Sequence, residues 1–181
     1  ETSGTVVLNA ATIVKDYSDT AANLAAAYDG ITTLTSTLTI TGTDPATVAE
    51  LMTINAATSG NAFLNAQTIA TAYTDTAANL AAAFDGITTS TSTLTIAGTT
   101  PATVAELIKI NGATSGAVVL NAETNAAAYT DTVANLAAAF DGITSHTGGL
   151  TVSDTGAVSA ADLTNISSLT GGATTATATS H

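Results

Sequence analysis

The chain has 181 residues, of which 45% are hydrophobic and 9% are charged, and its net charge is −12 because Lys and Arg together number 2. This balance argues against nucleic acid or an anionic membrane surface as a partner, since proteins bind both mainly through Lys and Arg. The absence of Cys excludes disulfide bonds and thiolate metal sites.

Apolar segments are short throughout the chain. Thr, Asn and Asp interrupt them, so no run of about 18 apolar residues is present that would insert into a membrane. The near absence of Lys and Arg also removes most sites for trypsin-like proteases, which favours a location outside the cell or on its surface.

One segment returns at a fixed interval. DTAANLAAAYDGI at 19–31 recurs as DTAANLAAAFDGI at 75–87 and as DTVANLAAAFDGI at 131–143, so the interval is 75 − 19 = 56 and then 131 − 75 = 56 residues. Because the interval holds without insertions, the copies are expected to occupy equivalent places in a stacked structure. We divide the chain into an N-terminal tail 1–4, repeat 1 (5–60), repeat 2 (61–116), repeat 3 (117–172) and a C-terminal tail 173–181 that we expect to be disordered.

Repeat 1 begins with an apolar segment, VVLN at residues 6–9, which predicts a short strand. The segment that follows is ambiguous. TIVKDYS alternates like a strand, whereas its third copy, ETNAAAY, is rich in Ala and fits a turn of helix. We favour a short strand or an irregular turn at this place.

A helix is predicted after Asp19, whose side chain is suited to cap it. Its apolar stripe consists of Leu24, Tyr28 and Ile31. Gly30 is expected to end this helix, because glycine tolerates the left-handed conformation found at helix C-termini.

The next segment, TSTLTIT at residues 35–41, places Leu38 and Ile40 on one face and Thr on the other, which predicts a half-buried strand. A second helix follows, with Asp44 as its expected cap and Pro45 in its first turn. Each repeat is thus predicted to contain short strands and two short helices.

These elements predict an α/β fold, a repeat solenoid of three 56-residue units. Right-handed crossovers would join the parallel strands into one sheet that runs along the array, with helices on one side. The predicted core contains Leu38, Ile40, Leu51 and Ile54, together with their equivalents in the later repeats.

Several phrases resemble a known repeat type. INAATSG at 54–60, followed by LNA and DTAANLAAA, and VSDT at 152–155 with SAADLTNISSLTGG at 159–172, look like the Thr/Ala-rich repeats of very large secreted or cell-surface proteins of cyanobacteria and other, often marine, bacteria. The resemblance covers nearly the whole chain. It implies an extracellular, surface-layer-like, matrix or adhesive role, and it carries over no catalytic residues.

Three aspartates recur at one place in the repeats, namely Asp19, Asp75 and Asp131. Stacked carboxylates would repel one another unless calcium bridged them or helix N-termini offset their charge. Capping is the favoured interpretation, because these residues lie where an N-cap is wanted and lack the spaced ligands of a calcium loop. Calcium binding is the alternative.

No residue cluster predicts catalysis or a cofactor. His146 stands alone in SHTGGL, and we interpret it as a solvated loop residue, since repeats 1 to 3 offer no Cys or second His to share a metal. Nucleophile-elbow, phosphate-loop and HExxH patterns are absent from the sequence. An enzyme is therefore not expected.

Threonines on the predicted strands form a further candidate surface. A flat array of their hydroxyls and methyls would suit ice, a polysaccharide or a neighbouring solenoid. A solvent-facing row of good strand formers, or lateral packing, is favoured because Ala97, Gly149 and Ser153 break the array. The threonines concerned are Thr37, Thr39, Thr41, Thr93, Thr95 and Thr151.

Both ends of the array favour association. Free-standing repeat proteins cover their terminal repeats with polar caps, yet repeat 1 is as regular as repeat 2, and repeat 3 keeps Leu163 and Ile166. We expect the chain to continue as a longer array or to stack head to tail on itself. The predicted function is an extracellular structural protein of a filament, surface layer or matrix. An adhesive or binding module for polysaccharide, ice or calcium is the alternative.

Overall fold

The computed structural model describes residues 6–176, and this part of the chain is α/β, with nine helices and nine strands. Every element is short, the longest helices having ten residues. Repeat 1 contains α1 (Ala10–Ile13), β1 (Tyr17–Asp19), α2 (Ala21–Tyr28), β2 (Leu38–Ile40) and α3 (Val48–Ala57). Repeat 2 contains β3 (Ala62–Phe63), α4 (Ala66–Ala70), β4 (Tyr73–Asp75), α5 (Ala77–Ala83), β5 (Leu94–Ile96) and α6 (Val104–Ala113). Repeat 3 contains β6 (Val118–Val119), α7 (Ala122–Ala126), β7 (Tyr129–Asp131), α8 (Val133–Phe140), β8 (Leu150–Val152) and α9 (Ala160–Ser168), and it is followed by β9 (Thr174–Ala176).

The strands form three small parallel sheets, ordered β1-β2-β3, β4-β5-β6 and β7-β8-β9. The expectation of one continuous sheet is wrong, and the connection lengths explain why. Parallel neighbours need a crossover of a dozen or more residues, which the segments between β1 and β2 and between β2 and β3 provide. Between β3 and β4 only 73 − 63 − 1 = 9 residues are available, so each sheet ends at its third strand.

The ambiguous segment after the first strand contains both elements that its pattern allowed. Each repeat has a short third helix there, α1, α4 or α7, and a strand follows after two or three residues. The helices begin at Asn9, Asn65 and Asn121, whose side chains each accept a hydrogen bond from the backbone N–H three residues later. The prediction of two helices per repeat is therefore corrected to three, because an Asn cap stabilises one turn of helix without an apolar stripe.

The helix caps lie later in the chain than predicted. Thr20 caps α2, and Asp19 is the last residue of β1 instead. Thr47 caps α3 in a capping box with Glu50, so Asp44 and Pro45 precede the helix rather than begin it. Thr and Asp are both good N-cap residues, and the Glu three residues beyond Thr47 decides the choice by bonding back to the cap.

The last residue of each repeat is a glycine, which lies close to the backbone of an earlier segment. A Cβ on Gly60 or Gly116 would collide with the carbonyl oxygen of Ser36 or Ser92, respectively. These glycines let Thr58 and Thr114 come close enough for their hydroxyls to donate to the same two carbonyls. The boundaries drawn at glycines in the sequence thus coincide with points of closest backbone approach.

The C-terminal tail is partly ordered. Thr174–Ala176 form β9 and pair in parallel with β8, which corrects the expectation of a disordered tail for these three residues. Their sequence position explains the pairing, because Thr174 stands 56 residues after Val118, the first residue of β6. The predicted N-terminal tail 1–4 and residues 177–181 lie outside the described part of the chain.

The core follows the repeat. Leu38, Leu94 and Leu150 occupy the middle strand of each sheet, and all three are 0% exposed. The longer helices pack in chain order, α2 on α3, α3 on α5, α5 on α6, α6 on α8 and α8 on α9. One connected apolar cluster therefore runs through all three repeats. No helix within residues 6–176 has the length and apolar character needed to cross a bilayer.

Replacing Leu94 by Ala should lower the free energy of unfolding by about 2–5 kcal/mol, because it removes a fully buried side chain from the central sheet. Val119→Ala is the matched control, since Val119 lies in the adjacent strand but is 43% exposed, and it should cost less than about 1 kcal/mol. Urea unfolding followed by circular dichroism measures both. Equal effects of the two changes would contradict the assigned core.

Candidate functional site

The repeats are joined by side chains that bond to the backbone of the preceding repeat. In repeat 2 the first of these is Asn65, whose Oδ1 accepts a hydrogen bond from the Thr68 N–H at 2.8 Å and so caps α4. Its Nδ2 donates across the junction to the carbonyls of Gly42 at 3.2 Å and Asp44 at 2.9 Å. One amide thus starts a helix in its own repeat and holds a loop of the previous one.

Ala46, in the loop before α3, has both its backbone polar groups satisfied by repeat 2. Its N–H donates to Thr68 Oγ1 at 2.9 Å, and its carbonyl accepts from the Tyr73 hydroxyl at 3.0 Å. Thr68 is fully buried, and burial raises the pKa of Tyr73, so the phenol keeps the proton that it donates. An unpaired buried backbone group is costly, so these two side chains fix the position of the loop.

The second junction has the same bonds. Ala102 N–H donates to Thr124 Oγ1 at 2.8 Å, and the Tyr129 hydroxyl donates to the Ala102 carbonyl at 2.9 Å. Asn121 Nδ2 donates to the carbonyls of Gly98 and Thr100. The same interface is therefore present at both junctions.

The helices add a second set of ties. Asn55 Nδ2, on α3, donates to the carbonyls of Ala82 and Asp85 at the end of α5, at 2.9 and 3.0 Å. Asn111 on α6 makes the same pair of bonds to the end of α8. Lys109 Nζ also lies 2.7 Å from Asp85 Oδ2, but both side chains are about half exposed, so this ion pair contributes less than about 1 kcal/mol.

Repeat 1 carries the same junction side chains without a preceding repeat in residues 6–176. Asn9 Oδ1 caps α1, and the Tyr17 hydroxyl donates to the Thr12 carbonyl at 3.2 Å, within the same repeat. Thr12 is partly exposed where Thr68 and Thr124 are buried. We call Asn9, Thr12, Tyr17 and Ala27 the N-terminal face. Ala27 is exposed, whereas its equivalents Ala83 and Ala139 are 0% exposed.

The opposite end presents the complementary surface. Val158 occupies the position in repeat 3 that is equivalent to Ala46 and Ala102. Ala46 and Ala102 are each 2% exposed, whereas Val158 is partly exposed. Leu163 is likewise partly exposed, although its equivalents in repeats 1 and 2 are buried. We call the loop 153–158 together with Leu163 the C-terminal face. It has the backbone groups and apolar side chains that a further repeat would cover.

The aspartates predicted as a ladder are paired within their own repeats. Asp19 Oδ1 accepts hydrogen bonds from the Thr20 N–H at 2.7 Å and from Asn23 Nδ2 at 2.8 Å, and the bond from Asn23, followed by that from Thr20, lowers the pKa of Asp19. Asp75 and Asp131 each accept the same two bonds from the residues one and four positions later. Across residues 6–176, no three acidic or His side chains are grouped as metal ligands. Calcium binding by these aspartates stays a prediction.

Two hollows lie between the start of α2 or α5 and the loop after the middle strand. The larger, of about 340 Å³, is lined by residues such as Ala77, Gly98 and Pro101. The other, of about 280 Å³, is lined by the equivalent residues of repeat 1. In repeat 3 the carboxylate of Asp154, at the position of Gly98, accepts from the Val133 N–H at 2.7 Å. These hollows are copies of one another, as expected of a repeated scaffold.

The threonines of the middle strands do not form an uninterrupted row. The registers place Thr39 between Ser18 and Phe63, and Thr95 between Thr74 and Val119. Phe63 is 52% exposed and Val119 43%. The outer face of the sheets is thus a mixed surface of hydroxyls and apolar side chains, which fits lateral packing better than an ordered hydroxyl lattice.

His146 is buried, which overturns its interpretation as a solvated loop residue. It is 1% exposed, and its ring lies 4.5 Å from that of Phe140 and 5.6 Å from that of Tyr129. Neither ring nitrogen has a hydrogen-bond partner in the described chain. The equivalent position is the apolar Leu34 in repeat 1 and the polar Ser90 in repeat 2, both buried, so the sequence of the repeats carried only a partial signal of burial.

Acid should destabilise the protein through His146. Burial lowers the pKa of His146 from its ordinary value of 6.5, although the backbone carbonyls of Asn125 and Thr124 act in the opposite direction. The unfolded chain therefore binds this proton more tightly, so stability should be unaffected by His146 well above pH 6.5 and should fall as the pH drops below it. Thermal unfolding measured from about pH 8 to about pH 5 tests this against His146→Leu, which should flatten the slope. Identical slopes for the two proteins would refute it.

The junction tyrosine should contribute to stability through its hydroxyl. Tyr73→Phe leaves the buried Ala46 carbonyl without its donor, so the free energy of unfolding should fall by about 1–3 kcal/mol. Tyr17→Phe is the matched control, since that hydroxyl bonds within repeat 1, and its effect should be smaller. Denaturant unfolding of both variants gives the comparison, and a larger loss for Tyr17→Phe would contradict the assigned junction.

Comparisons of the chain with protein-family models, with curated proteins and with solved structures gave no match. The likeness to repeats of secreted bacterial proteins therefore stays a prediction from the quoted motifs. Function is inferred from the chain's own contacts, above all from the two junctions, from the N-terminal face that carries the same Asn, Thr and Tyr, and from the C-terminal face that carries the equivalent loop.

Proposed function

We propose that the protein is an extracellular structural module, a solenoid of three 56-residue units that stacks head to tail. The observation that carries the proposal is the repeated junction. Both junctions use Asn, Thr and Tyr from the later repeat on the same loop of the earlier one. The N-terminal face presents the same three side chain types, and the C-terminal face presents the equivalent loop, with Asp154 and Val158 in place of the Gly and Ala of the internal junctions.

The apolar surfaces of the two faces support the same arrangement. In the internal junctions α3 packs on α5 and α6 on α8, which covers Ala83 and Ala139. By equivalence, α9 of one copy would pack on α2 of the next and cover Ala27 and Leu163. Such a contact joins two different surfaces, so it does not close on itself and generates an open filament.

Charge sets the conditions under which stacking is expected. The net charge of −12 makes separate copies repel one another. Salt screens this repulsion between exposed charges, so association should strengthen as ionic strength rises. Many proteins prevent edge-to-edge pairing of strands by placing Lys on their edge strands. Lys and Arg together number only 2 in this chain, so it lacks this protection.

The extracellular location rests on composition and on the motif resemblance. The low Lys and Arg content limits cleavage by trypsin-like proteases, and the chain needs no reduced thiols since it has no Cys. A filament, surface layer or matrix is the setting in which a rigid repeated module of this kind would act.

An adhesive module for polysaccharide, ice or calcium is the second candidate. The exposed Phe63 and Val119 beside the strand threonines favour it, because apolar and hydroxyl groups together suit a sugar face or the side of another solenoid. The repeated hollows favour the scaffold instead, since a receptor is expected to hold one dominant pocket with converging polar groups.

A single charge on the N-terminal face should block stacking. Ala27→Glu places a carboxylate where Ala83 and Ala139 are buried in the internal junctions, so filaments should be shortened or lost. Ala22→Glu is the matched control, because this residue of α2 is exposed in every repeat and adds the same charge. Light scattering and electron microscopy of the three proteins measure the effect.

A parallel sample with a calcium chelator separates metal-bridged association from direct stacking, because direct stacking should persist. A wild-type chain that stays monomeric at all concentrations and salt levels would overturn the proposal. Equal filament lengths for the Ala27→Glu and Ala22→Glu proteins would overturn the assignment of this face.

A further inference from the structure

The third strand of each sheet comes from beyond the repeat that supplies the first two. β3 belongs to repeat 2 but completes the sheet of β1 and β2, and β6 belongs to repeat 3 but completes the sheet of β4 and β5. In the third sheet this place is taken by β9, from the C-terminal tail. The strand that crosses from one repeat to the preceding sheet is thus a regular part of the junction.

β9 pairs with the middle strand over three residues, against two for β3 and β6, but its side chains fit this place less well. Thr174 pairs with Leu150 in the third sheet, as Val118 pairs with Leu94 in the second. The buried Oγ1 of Thr174 has no hydrogen-bond partner in the described chain. Ala176 is exposed, whereas the equivalent Leu64 and Leu120 pack partly buried against the core. The tail strand therefore leaves a hydroxyl unsatisfied and an apolar contact unmade.

A better strand for this place is present at the start of the chain. Residues 6–10 read VVLNA, which is identical to residues 118–122, the segment that begins with β6. Residues 6–9 belong to no strand, and Val6 and Val7 are 63% and 86% exposed, while Leu8 packs partly buried against the core of its own copy. Asn9 follows Leu8, and its equivalents Asn65 and Asn121 bind the loop of the preceding repeat. The tail sequence has Thr177 at the equivalent position.

We propose that stacking proceeds by strand exchange, in which residues 6–8 of one copy displace β9 of another and pair with its β8. The internal sheets set the register, which places Val6 beside Leu150, Val7 beside Thr151 and Leu8 beside Val152. The backbone hydrogen bonds between β8 and β9 are replaced nearly one for one by bonds between β8 and residues 6–8. The unsatisfied Thr174 hydroxyl returns to water, and the apolar side chains of the incoming strand are buried. β9 acts as a placeholder that covers β8 until a second copy arrives. This inference rests on the proposed head-to-tail stacking.

The absence of Cys from the chain allows a direct test. Adjacent strands lie about 4.8 Å apart, within the range that a disulfide spans, so Val7→Cys in one chain and Thr151→Cys in another should cross-link under mild oxidation. Mixing an isotopically labelled chain with an unlabelled one lets mass spectrometry separate this mixed disulfide from symmetric ones. Val14→Cys with Thr151→Cys is the control, since Val14 is 66% exposed and lies outside the exchanged strand, and it should give at least tenfold less of the mixed product.

A tail variant tests whether β9 must leave. T174V/T175V/A176L gives the tail the strand sequence of repeat 3, so it should hold β8 more tightly and slow filament growth in light scattering by at least tenfold. V6T/V7T/L8A gives the N-terminal segment the tail's sequence and should reduce growth similarly. The tail variant should unfold at a temperature no lower than the wild type by more than a few degrees, because its new side chains match an internal repeat. V6T/V7T/L8A should lose somewhat more, because Leu8 packs partly buried against the core, so its growth is measured at a temperature where circular dichroism shows it folded.

The outcomes separate this inference from the proposed function. Filaments that form without the Val7–Thr151 cross-link, and at the same rate for the tail variant, would overturn strand exchange and leave stacking in place. A wild-type chain that never associates would overturn both. Cross-linking together with slower growth of both variants would support strand exchange.

Discussion

The structure depends on how the backbone of one loop residue per repeat is satisfied. Ala46 and Ala102 are buried in loops, where no sheet or helix pairs their N–H and C=O groups, and a buried unpaired backbone group costs free energy. The next repeat supplies a threonine oxygen and a tyrosine hydroxyl to each. The loop before α3 or α6 therefore has its buried backbone groups paired only because the next repeat lies against it, and the proposed stacking of separate copies would use the same kinds of contact.

This dependence suits the small size of the elements. Strands of two or three residues and helices of at most ten bury too little alone to offset the conformational entropy that they lose. The connected core, which extends from Ala21 to Ile166, supplies the remaining stabilisation because it passes from each repeat to the next. In such an array stability is approximately a sum of repeat and junction terms, so the two terminal faces are the places where that sum is incomplete.

The sequence was sufficient to predict the α/β class, the parallel strands and the positions of Leu38 and Leu94, because alternation and a fixed period report burial directly. It did not locate the caps, since Asp44 and Thr47 are both good capping residues and the capping box with Glu50 decides between them. It also placed His146 in solvent, because a single histidine in a Gly-containing loop has no pattern of its own. The equivalent positions in repeats 1 and 2 are Leu34 and Ser90, so only one of them is apolar and the period does not report the burial of this position.

The nine-residue link between the third strand of one sheet and the first strand of the next has a mechanical consequence. Because no backbone ladder joins neighbouring sheets, a pull along the array would fall on the side chain bonds and packing between one sheet and the next, and not on a continuous sheet. Repeats would yield one after another, each releasing about 200 Å of extended chain for its 56 residues at about 3.6 Å per residue. A material built from such modules would lengthen in steps under load and recover as its repeats refold.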